Sequence, residues 1–525
     1  MTRLLPTLHD GNRRWWTLGA MCFALFMVML DNTVVNVALP SIQRELRASL
    51  AGLEWTVNAY TLTFAVLLVT GGRLGDILGR RRVFLAGVVV FAASSAAIGV
   101  SPNQAALVAG RAVQGVGAAL MMPGTLSIIS SVFPPEERGR AIGTWAGVSG
   151  LALAIGPVVG GALTEYVSWR AIFFLNLPVA VGAIVVTLFA APESRDESTQ
   201  HRIDYLGIAT LSLGLSALVL ALVEGNAWGW GSARIVALLV TAAVGLAAFV
   251  VVERRAAEPM VDFRFFRSRT FLGANAVAFI VSFAMLAMFF FLALYMQNIL
   301  GYSAVEAGVR FLPSTLMIIL VAPIAGRLAD RIGPRWLIAV GLSLVGTAML
   351  LLTGLRVDTG YGHLLPPFML MGVGIALTMS PMSTAAMNSV AVEKAGVASG
   401  ILSMNRMVGG TFGVAALGAL FQHLARNRLG ELLAGSGLPP SLREELVRHL
   451  GSAQERMGSA DPVLAARVGR AASEAFVYAL SGGMWLSASL AFSGAVVALL
   501  LIAPGRIGHG SGDTRELAAA ETFAG

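Results

Sequence analysis

Two oppositely charged residues stand inside apolar stretches of this sequence: Asp31 in the first stretch and Arg111 in a later one. An ionisable side chain within a membrane-spanning helix costs about 2.5 to 3.5 kcal/mol on insertion scales, so each one needs a partner or a functional reason. Both residues lie about seven or eight positions from the same predicted side of the membrane, which is roughly 10 to 12 Å of helix. We therefore expect them to reach a common depth.

This pairing suggests proton chemistry. A guanidinium lowers the proton affinity of a nearby carboxylate, whereas burial raises it, and the balance shifts as water enters or leaves. The pair could therefore bind and release protons; the alternative is a static ion pair that only fixes helix packing. Arg406, deep in another apolar run, also has two open interpretations, since it could attract an anionic group or donate to backbone carbonyls.

Other chemistries have little support in the sequence. The single cysteine, Cys22, allows neither a disulfide framework nor a thiolate metal cluster. No G-x-x-x-x-G-K-[ST] motif and no catalytic constellation occurs, so neither ATP-driven pumping nor an enzyme is expected. We expect no metal and no cofactor, and the energy source would be a proton gradient.

The composition indicates an all-α integral membrane protein. Among 525 residues, 56% are hydrophobic and only 13% are charged, and the mean hydropathy is +0.76. The net charge of +8 does not indicate a nucleic-acid partner, because the arginines fall between apolar runs and form no basic face. Lipids, small molecules and protons are the expected partners of the chain, which we expect to be a monomer.

Fourteen apolar runs are each long enough for a membrane span, which takes about 20 residues. With the N-terminus inside, 22 of the 37 basic residues lie on cytoplasmic segments, so both termini are expected in the cytoplasm of a bacterial cell. A long outer loop is expected at 422–474, with a surface helix starting near Ser441. The runs begin near Thr17, Trp55, Val83, Gln104, Gly139, Trp169, Asp204, Arg234, Phe271, Ala304, Arg335, Leu364, Ala395 and Phe476.

The chain also contains an internal duplication. The segment Gly72–Arg80, which includes Asp76 and Gly79, recurs 254 residues later as Gly326–Pro334. Repeated halves are typical of secondary transporters, whose binding site lies between the repeats. We predict a six-helix bundle at 1–203, a two-helix insert at 204–253 and a second six-helix bundle at 254–525.

The fifth run is unusually rich in small residues. It carries Gly143, Gly147, Gly150, Gly156, Pro157, Gly160 and Gly161. Small residues let helices approach closely, and proline removes a backbone hydrogen bond and favours a kink. General membrane packing explains several glycines, but it explains less well the proline and the glycine pair together.

These motifs resemble those of the major facilitator superfamily, in particular its fourteen-span drug:proton antiporter branch, over residues 15–505. The match is carried by Leu30–Pro40, which includes Asn36, by Gly72–Arg81, by Arg111 with Gln114, Gly115 and Gly117, and by Gly143, Gly156, Pro157, Gly160 and Gly161. Ala152 departs from the pattern, since that position is usually glycine. The resemblance implies the major facilitator fold, two six-helix repeats plus two extra helices.

The resemblance also implies roles for these residues. Arg111 would take part in proton coupling, and Asp76 with Arg80 would form a cytoplasmic latch that is made in one conformation and released in the other. A central cavity would take hydrophobic or cationic drugs. The expected function is proton-coupled drug export across the bacterial cytoplasmic membrane; the alternatives are a dedicated exporter of one metabolite, siderophore or lipid, and a membrane receptor without transport.

Overall fold

The computed structural model describes residues 10–47, 50–195, 204–256, 259, 261, 263–391, 394–434 and 462–504. All regular elements in these residues are helical. They are α1 Asp10–Leu46, α2 Leu50–Leu78, α3 Arg80–Gly99, α4 Gln104–Val132, α5 Pro135–Tyr166, α6 Ala171–Phe174, α7 Asn176–Ala190, α8 Tyr205–Trp228, α9 Ala233–Arg255, α10 Arg269–Leu294, α11 Ala304–Ile332, α12 Pro334–Leu352, α13 Leu365–Asn388, α14 Ala395–Ala434 and α15 Pro462–Leu501.

Local sequence explains where several helices begin and end. The Asn103 side chain accepts a hydrogen bond from the Ala106 amide at the start of α4, and Ser303 and Glu306 form a reciprocal capping box on α11. Gly79 and Gly333 follow α2 and α11 with φ of +108° and +87°, a backbone conformation that glycine adopts without strain. The two copies of the repeated segment therefore turn at equivalent glycines.

The long apolar helices predicted from the composition are present in the structure. Each predicted apolar run falls on one helix, except the sixth, which falls on α6 and α7 together. By length and apolarity, 12 helices in the described residues could cross a membrane. The all-α membrane fold is confirmed, whereas the count of fourteen spans stays a prediction.

The helices pack in two groups that meet along two interfaces, α2 against α14 and α5 against α11. Glycines allow a close backbone approach at both. A Cβ atom on Gly72 would lie 2.3 Å from the Gly396 carbonyl oxygen, and one on Gly326 would lie 2.0 Å from the Gly139 carbonyl oxygen. Larger residues would push these helices apart at the same end of the molecule.

The helices α8 and α9 form a hairpin that packs through α8 against α2 and α14. The hairpin is close-packed, since a Cβ atom on Gly245 would lie 2.9 Å from the Gly214 Cα atom. Leu211 and Leu215 of α8 belong to the same buried apolar cluster as Leu68 of α2. The predicted insert therefore lies beside one of the two interfaces, while the predicted boundaries at 203 and 253 stay predictions.

The predicted outer loop over 422–474 overlaps helix at both ends, and its extent outside the membrane stays a prediction. Helix α14 continues to Ala434 and α15 begins at Pro462. Ala425, Leu429 and Leu433 are buried at four-residue spacing, so α14 keeps an apolar face beyond the membrane, and α14 packs against α15. The predicted surface helix near Ser441 lies outside the described residues.

Candidate functional site

The structure brings Asp31 of α1 and Arg111 of α4 together as a buried ion pair. The Arg111 Nη1 atom donates to Asp31 Oδ2 at 2.5 Å, and both side chains are 1% exposed. Neither residue has a charged neighbour within its own helix turn, so only the packing of α1 against α4 creates this pair. A buried pair of this kind is costly to break, because removing one partner leaves an uncompensated charge.

Three amide and hydroxyl side chains complete a network around Asp31. Gln114, one turn after Arg111, accepts from Arg111 Nη1 at 2.6 Å and donates to Asp31 Oδ1 at 2.9 Å. Asn176, at the start of α7, donates to the same carboxylate oxygen at 3.3 Å. Ser95 of α3 accepts hydrogen bonds from both amides, at 2.8 Å and 3.3 Å. Four helices of the first predicted bundle therefore converge on a single carboxylate.

The sequence reasoning included Gln114 but missed Asn176 and Ser95. The sequence feature that could have identified them is that both are polar residues in or beside apolar runs. The signal is weak, because serine and asparagine in membrane helices frequently bond to their own backbone. Here tertiary packing holds Asn176 against Asp31 and Ser95 against the Gln114 and Asn176 amides.

Arg111 has two further contacts that fix its guanidinium. Its Nε atom donates to the Thr56 carbonyl oxygen at 3.0 Å, and its Cζ atom lies 4.3 Å from the centre of the Tyr60 ring. Cation–π contact of this kind stabilises a guanidinium most where water is excluded, and Tyr60 is fully buried. The guanidinium of Arg111 is thus held by α2 as well as by Asp31.

The predicted latch residues lie where α2 meets α14. Asp76 is fully buried and forms an ion pair with Arg80 at 2.9 Å. Its carboxylate also accepts from the backbone amides of Gly396 and Val397, at 3.0 Å and 2.8 Å, across the interface. These amides begin α14 and are among the helical N–H groups that lack an intrahelical acceptor. Asp76 therefore caps a helix of the other half.

An equivalent contact, which the sequence reasoning did not assign, occurs at the second interface. Asp330 of α11 accepts from the amides of Gly139 and Arg140 in the second turn of α5, at 3.0 Å and 3.2 Å. Nearby, Arg138 donates to the Asn388 side chain at 2.6 Å. The sequence does contain a signal for the role of Asp330. The duplication of the Gly72–Arg80 segment places Asp330 at the position that corresponds to Asp76. Each half thus presents an aspartate to backbone amides of a helix in the other half, at the first turn of α14 and in the second turn of α5.

The glycines of the fifth predicted span serve two different contacts. Gly143 faces α11, where an added Cβ atom would lie 2.5 Å from the Ala322 carbonyl oxygen. Gly156 and Gly160 face α1, where the corresponding atoms would lie 1.9 Å from Thr33 Oγ1 and 3.0 Å from Val34 Cγ1. Thr33 and Val34 closely follow Asp31, so these glycines bring α5 against the helix that carries the buried carboxylate.

The other predicted site residues are not part of the Asp31 network. Arg406 is half-buried in α14 and makes no hydrogen bond or ion pair within the described part of the chain. Gly161 is half-buried, and Gly79 supplies the turn between α2 and α3. The side chains of Asn36 and Pro157 lie outside the described residues. The functional roles of all these residues stay predictions.

A bundle of long apolar helices in two interacting groups, with an ionisable network buried in one of them, is the architecture of a secondary transporter. The family model described as Major Facilitator Superfamily matches residues 21–414 of the chain. The chain belongs to this family, as its motifs predicted, and it is a multi-pass membrane transporter and not an enzyme.

Several relatives are resistance proteins. The chain is 38% identical over 434 residues to the tetracenomycin C resistance and export protein of Streptomyces glaucescens, covering 83% of this chain and 81% of the relative. It is 40% identical over 410 residues to the puromycin resistance protein pur8 of Streptomyces alboniger, covering 77% and 81%. The proton:xylose symporter XylE has the same fold, with a TM-score of 0.61 at 12% identity, covering 94% of this chain and 97% of the symporter.

Proposed function

We propose that this protein exports small amphipathic drugs or antibiotics across the bacterial cytoplasmic membrane in exchange for protons. The observation that carries the proposal is the buried network of Asp31, Arg111 and Gln114. Asp31 is the carboxylate that would bind the proton. Protonation would remove its charge, weaken its bond to Arg111 and free the helices α1 and α4 to shift relative to each other.

The two interface contacts support an alternating-access cycle. Asp76 and Asp330 each accept hydrogen bonds from backbone amides of a helix in the opposite half, at the same end of the molecule. The distribution of arginines assigns that end to the cytoplasm. In the proposed cycle these two contacts latch the cytoplasmic side. Inward opening would require both contacts to break, so they would contribute to the free-energy difference between the two conformations.

Drugs or antibiotics are the proposed substrate class because the relatives of known specificity are named for tetracenomycin C and puromycin resistance. Export of one endogenous metabolite is the second candidate, since one relative is a resistance and export protein for the single compound tetracenomycin C. We also propose that the protein works as a monomer, because each interface described above joins two parts of a single chain.

A susceptibility panel in an efflux-deficient bacterial host tests the proposal. Cells that produce the wild-type protein should tolerate several unrelated apolar or cationic drugs better than cells that produce Asp31→Asn. The change preserves size and removes the titratable proton, so the variant should still insert into the membrane, although the unpaired charge of Arg111 lowers its stability. Surface abundance is measured in parallel, because a loss of protein would mimic a loss of coupling.

Transport in inverted membrane vesicles tests the proton coupling, and the susceptibility panel tests the substrate range. An imposed pH gradient should drive uptake of a fluorescent dye in wild-type vesicles and not in Asp31→Asn vesicles. Resistance to a single compound would favour the dedicated exporter. Equal dye uptake by both proteins under the same gradient would refute the assignment of Asp31.

A further inference from the structure

A cavity of about 280 Å³ lies between the turn that joins α8 to α9 and the far part of α14. Its walls include Gly225 and Trp230 from the hairpin and Gln422, His423, Arg426 and Asn427 from α14. These α14 residues recur at three- and four-residue spacing and so share one helix face. The cavity contains none of the residues assigned to the Asp31 network or to the two latches.

The position along α14 places this cavity at the level of the lipid headgroups. Gln422 lies 26 residues beyond Gly396, which is capped by Asp76 at the other end of the helix. That separation is roughly 39 Å at 1.5 Å per residue, whereas the hydrocarbon core is about 30 Å thick. The adjoining turn carries Trp228 and Trp230, and tryptophan is enriched at the membrane–water interface. By the charge distribution of the loops, this is the outer leaflet.

The charge and size of the cavity define its ligand. Arg426 is exposed and has no ion pair or hydrogen bond within the described residues, whereas Arg428 on the same helix is paired with Glu431 at 2.8 Å. No carboxylate belongs to the described lining; Glu224, next to Gly225, is buried on the α8 side. Drug-sized ligands occupy pockets of about 300 to 1,000 Å³, so this volume suits a smaller group.

The remaining lining groups also suit a phosphate. Arginine binds phosphate oxygens through two parallel N–H donors, and the amides of Gln422 and Asn427 can supply further donors. Asn427 is held by a 3.1 Å hydrogen bond with His423. Gly225 lets the Trp230 ring lie against α8, because an added Cβ atom would be 2.6 Å from that ring. The ring closes one apolar side, next to which acyl chains could lie.

We propose that this cavity binds the phosphate of an anionic phospholipid in the outer leaflet. A zwitterionic lipid fits less well, because its ammonium group would find no carboxylate in the described lining. The bound headgroup would bridge the α8–α9 hairpin and α14. This inference does not depend on the substrate or on the proton coupling proposed above.

The test measures thermal unfolding of the full-length protein in detergent with increasing phosphatidylglycerol. Phosphatidylglycerol should raise the unfolding temperature more than phosphatidylcholine does. Arg426→Gln should weaken the apparent affinity about tenfold or more, because it removes charge-assisted hydrogen bonds. Arg426→Lys, which keeps the charge but loses the paired donors, should give an intermediate loss. Arg470→Gln is the matched control, since Arg470 is an exposed arginine on α15 that is paired with Glu474.

Selective stabilisation by phosphatidylglycerol that Arg426→Gln loses and Arg470→Gln keeps supports the site. Equal effects of the two lipids, or equal losses in both glutamine variants, overturn it. Stabilisation of the same size by inorganic phosphate alone, lost in Arg426→Gln, overturns the lipid assignment and identifies a free-anion site. If Arg426→Gln does not fold, Arg426→Lys and Arg470→Gln still decide between these results.

Discussion

Removing either charge of the Asp31–Arg111 pair should cost far more than removing an exposed ion pair. In Asp31→Asn, Arg111 keeps its Tyr60, Thr56 and Gln114 contacts but loses its counter-charge in a site that is 1% exposed. In Arg111→Gln, the carboxylate keeps only the amide donors of Gln114 and Asn176. Breaking a buried pair costs about 3 to 5 kcal/mol, so each single variant should lose that much stability.

The double variant Asp31→Asn/Arg111→Gln should be more stable than the sum of the single losses predicts, by about 2 to 3 kcal/mol, because neither charge is left alone. Transport should show the opposite pattern. Each single variant should lose nearly as much proton-driven efflux as the double variant, and the double variant should regain stability without regaining coupling.

A double-mutant cycle measures both quantities on the same four proteins. Stability is taken from denaturant titration in detergent micelles, and efflux from dye transport in vesicles under an imposed pH gradient. The control cycle uses Arg14 and Glu137, which pair at 2.9 Å with side chains 31% and 38% exposed. Exposed pairs contribute about 0 to 1 kcal/mol, so this control cycle should show little coupling. Additive losses for Asp31 and Arg111 in both assays would refute their action as a unit.

The interface contacts support three further predictions. Asp76→Asn should slow transport about tenfold while changing substrate affinity little, since it weakens charge-assisted hydrogen bonds far from the Asp31 network; a large loss of affinity at an unchanged rate would contradict this. Asp330→Asn should act in the same direction but less strongly, because Asp330 is half-buried and its second amide contact is 3.2 Å where that of Asp76 is 2.8 Å, as side-by-side rate measurements can check. Gly326→Val should block close approach of α5 and α11 and abolish export, whereas Gly182→Ala, with no atom within 4 Å of the added Cβ, should export normally at matched protein levels.

Much of the fold could be predicted because the bilayer imposes simple rules on sequence. Apolar runs of helix length, glycine turns and the placement of arginine depend on local composition, and most of the helices begin within a few residues of the predicted positions, whereas α15 begins well before Phe476. The length of the outer loop could not be predicted in this way. Beyond the hydrocarbon core, α14 has no requirement for continuous apolarity, and only its packing against α15 reveals that the helix continues to Ala434.

The sequence by itself determined that Asp31 and Arg111 had to be explained, because a charge within an apolar run is costly wherever the helices are placed. It singled out Asp76 in a different way, through the duplicated segment Gly72–Arg80. Their partners were decided by the tertiary structure. Asn176 reaches Asp31 from α7, and Ser95 of α3 holds the amides of Gln114 and Asn176 that donate to Asp31. The Gly139 amide of α5 finds its acceptor in Asp330, 191 residues away. No local rule specifies such contacts, because they depend on how rigid helices pack through their glycine faces, and that packing exists only in the assembled bundle.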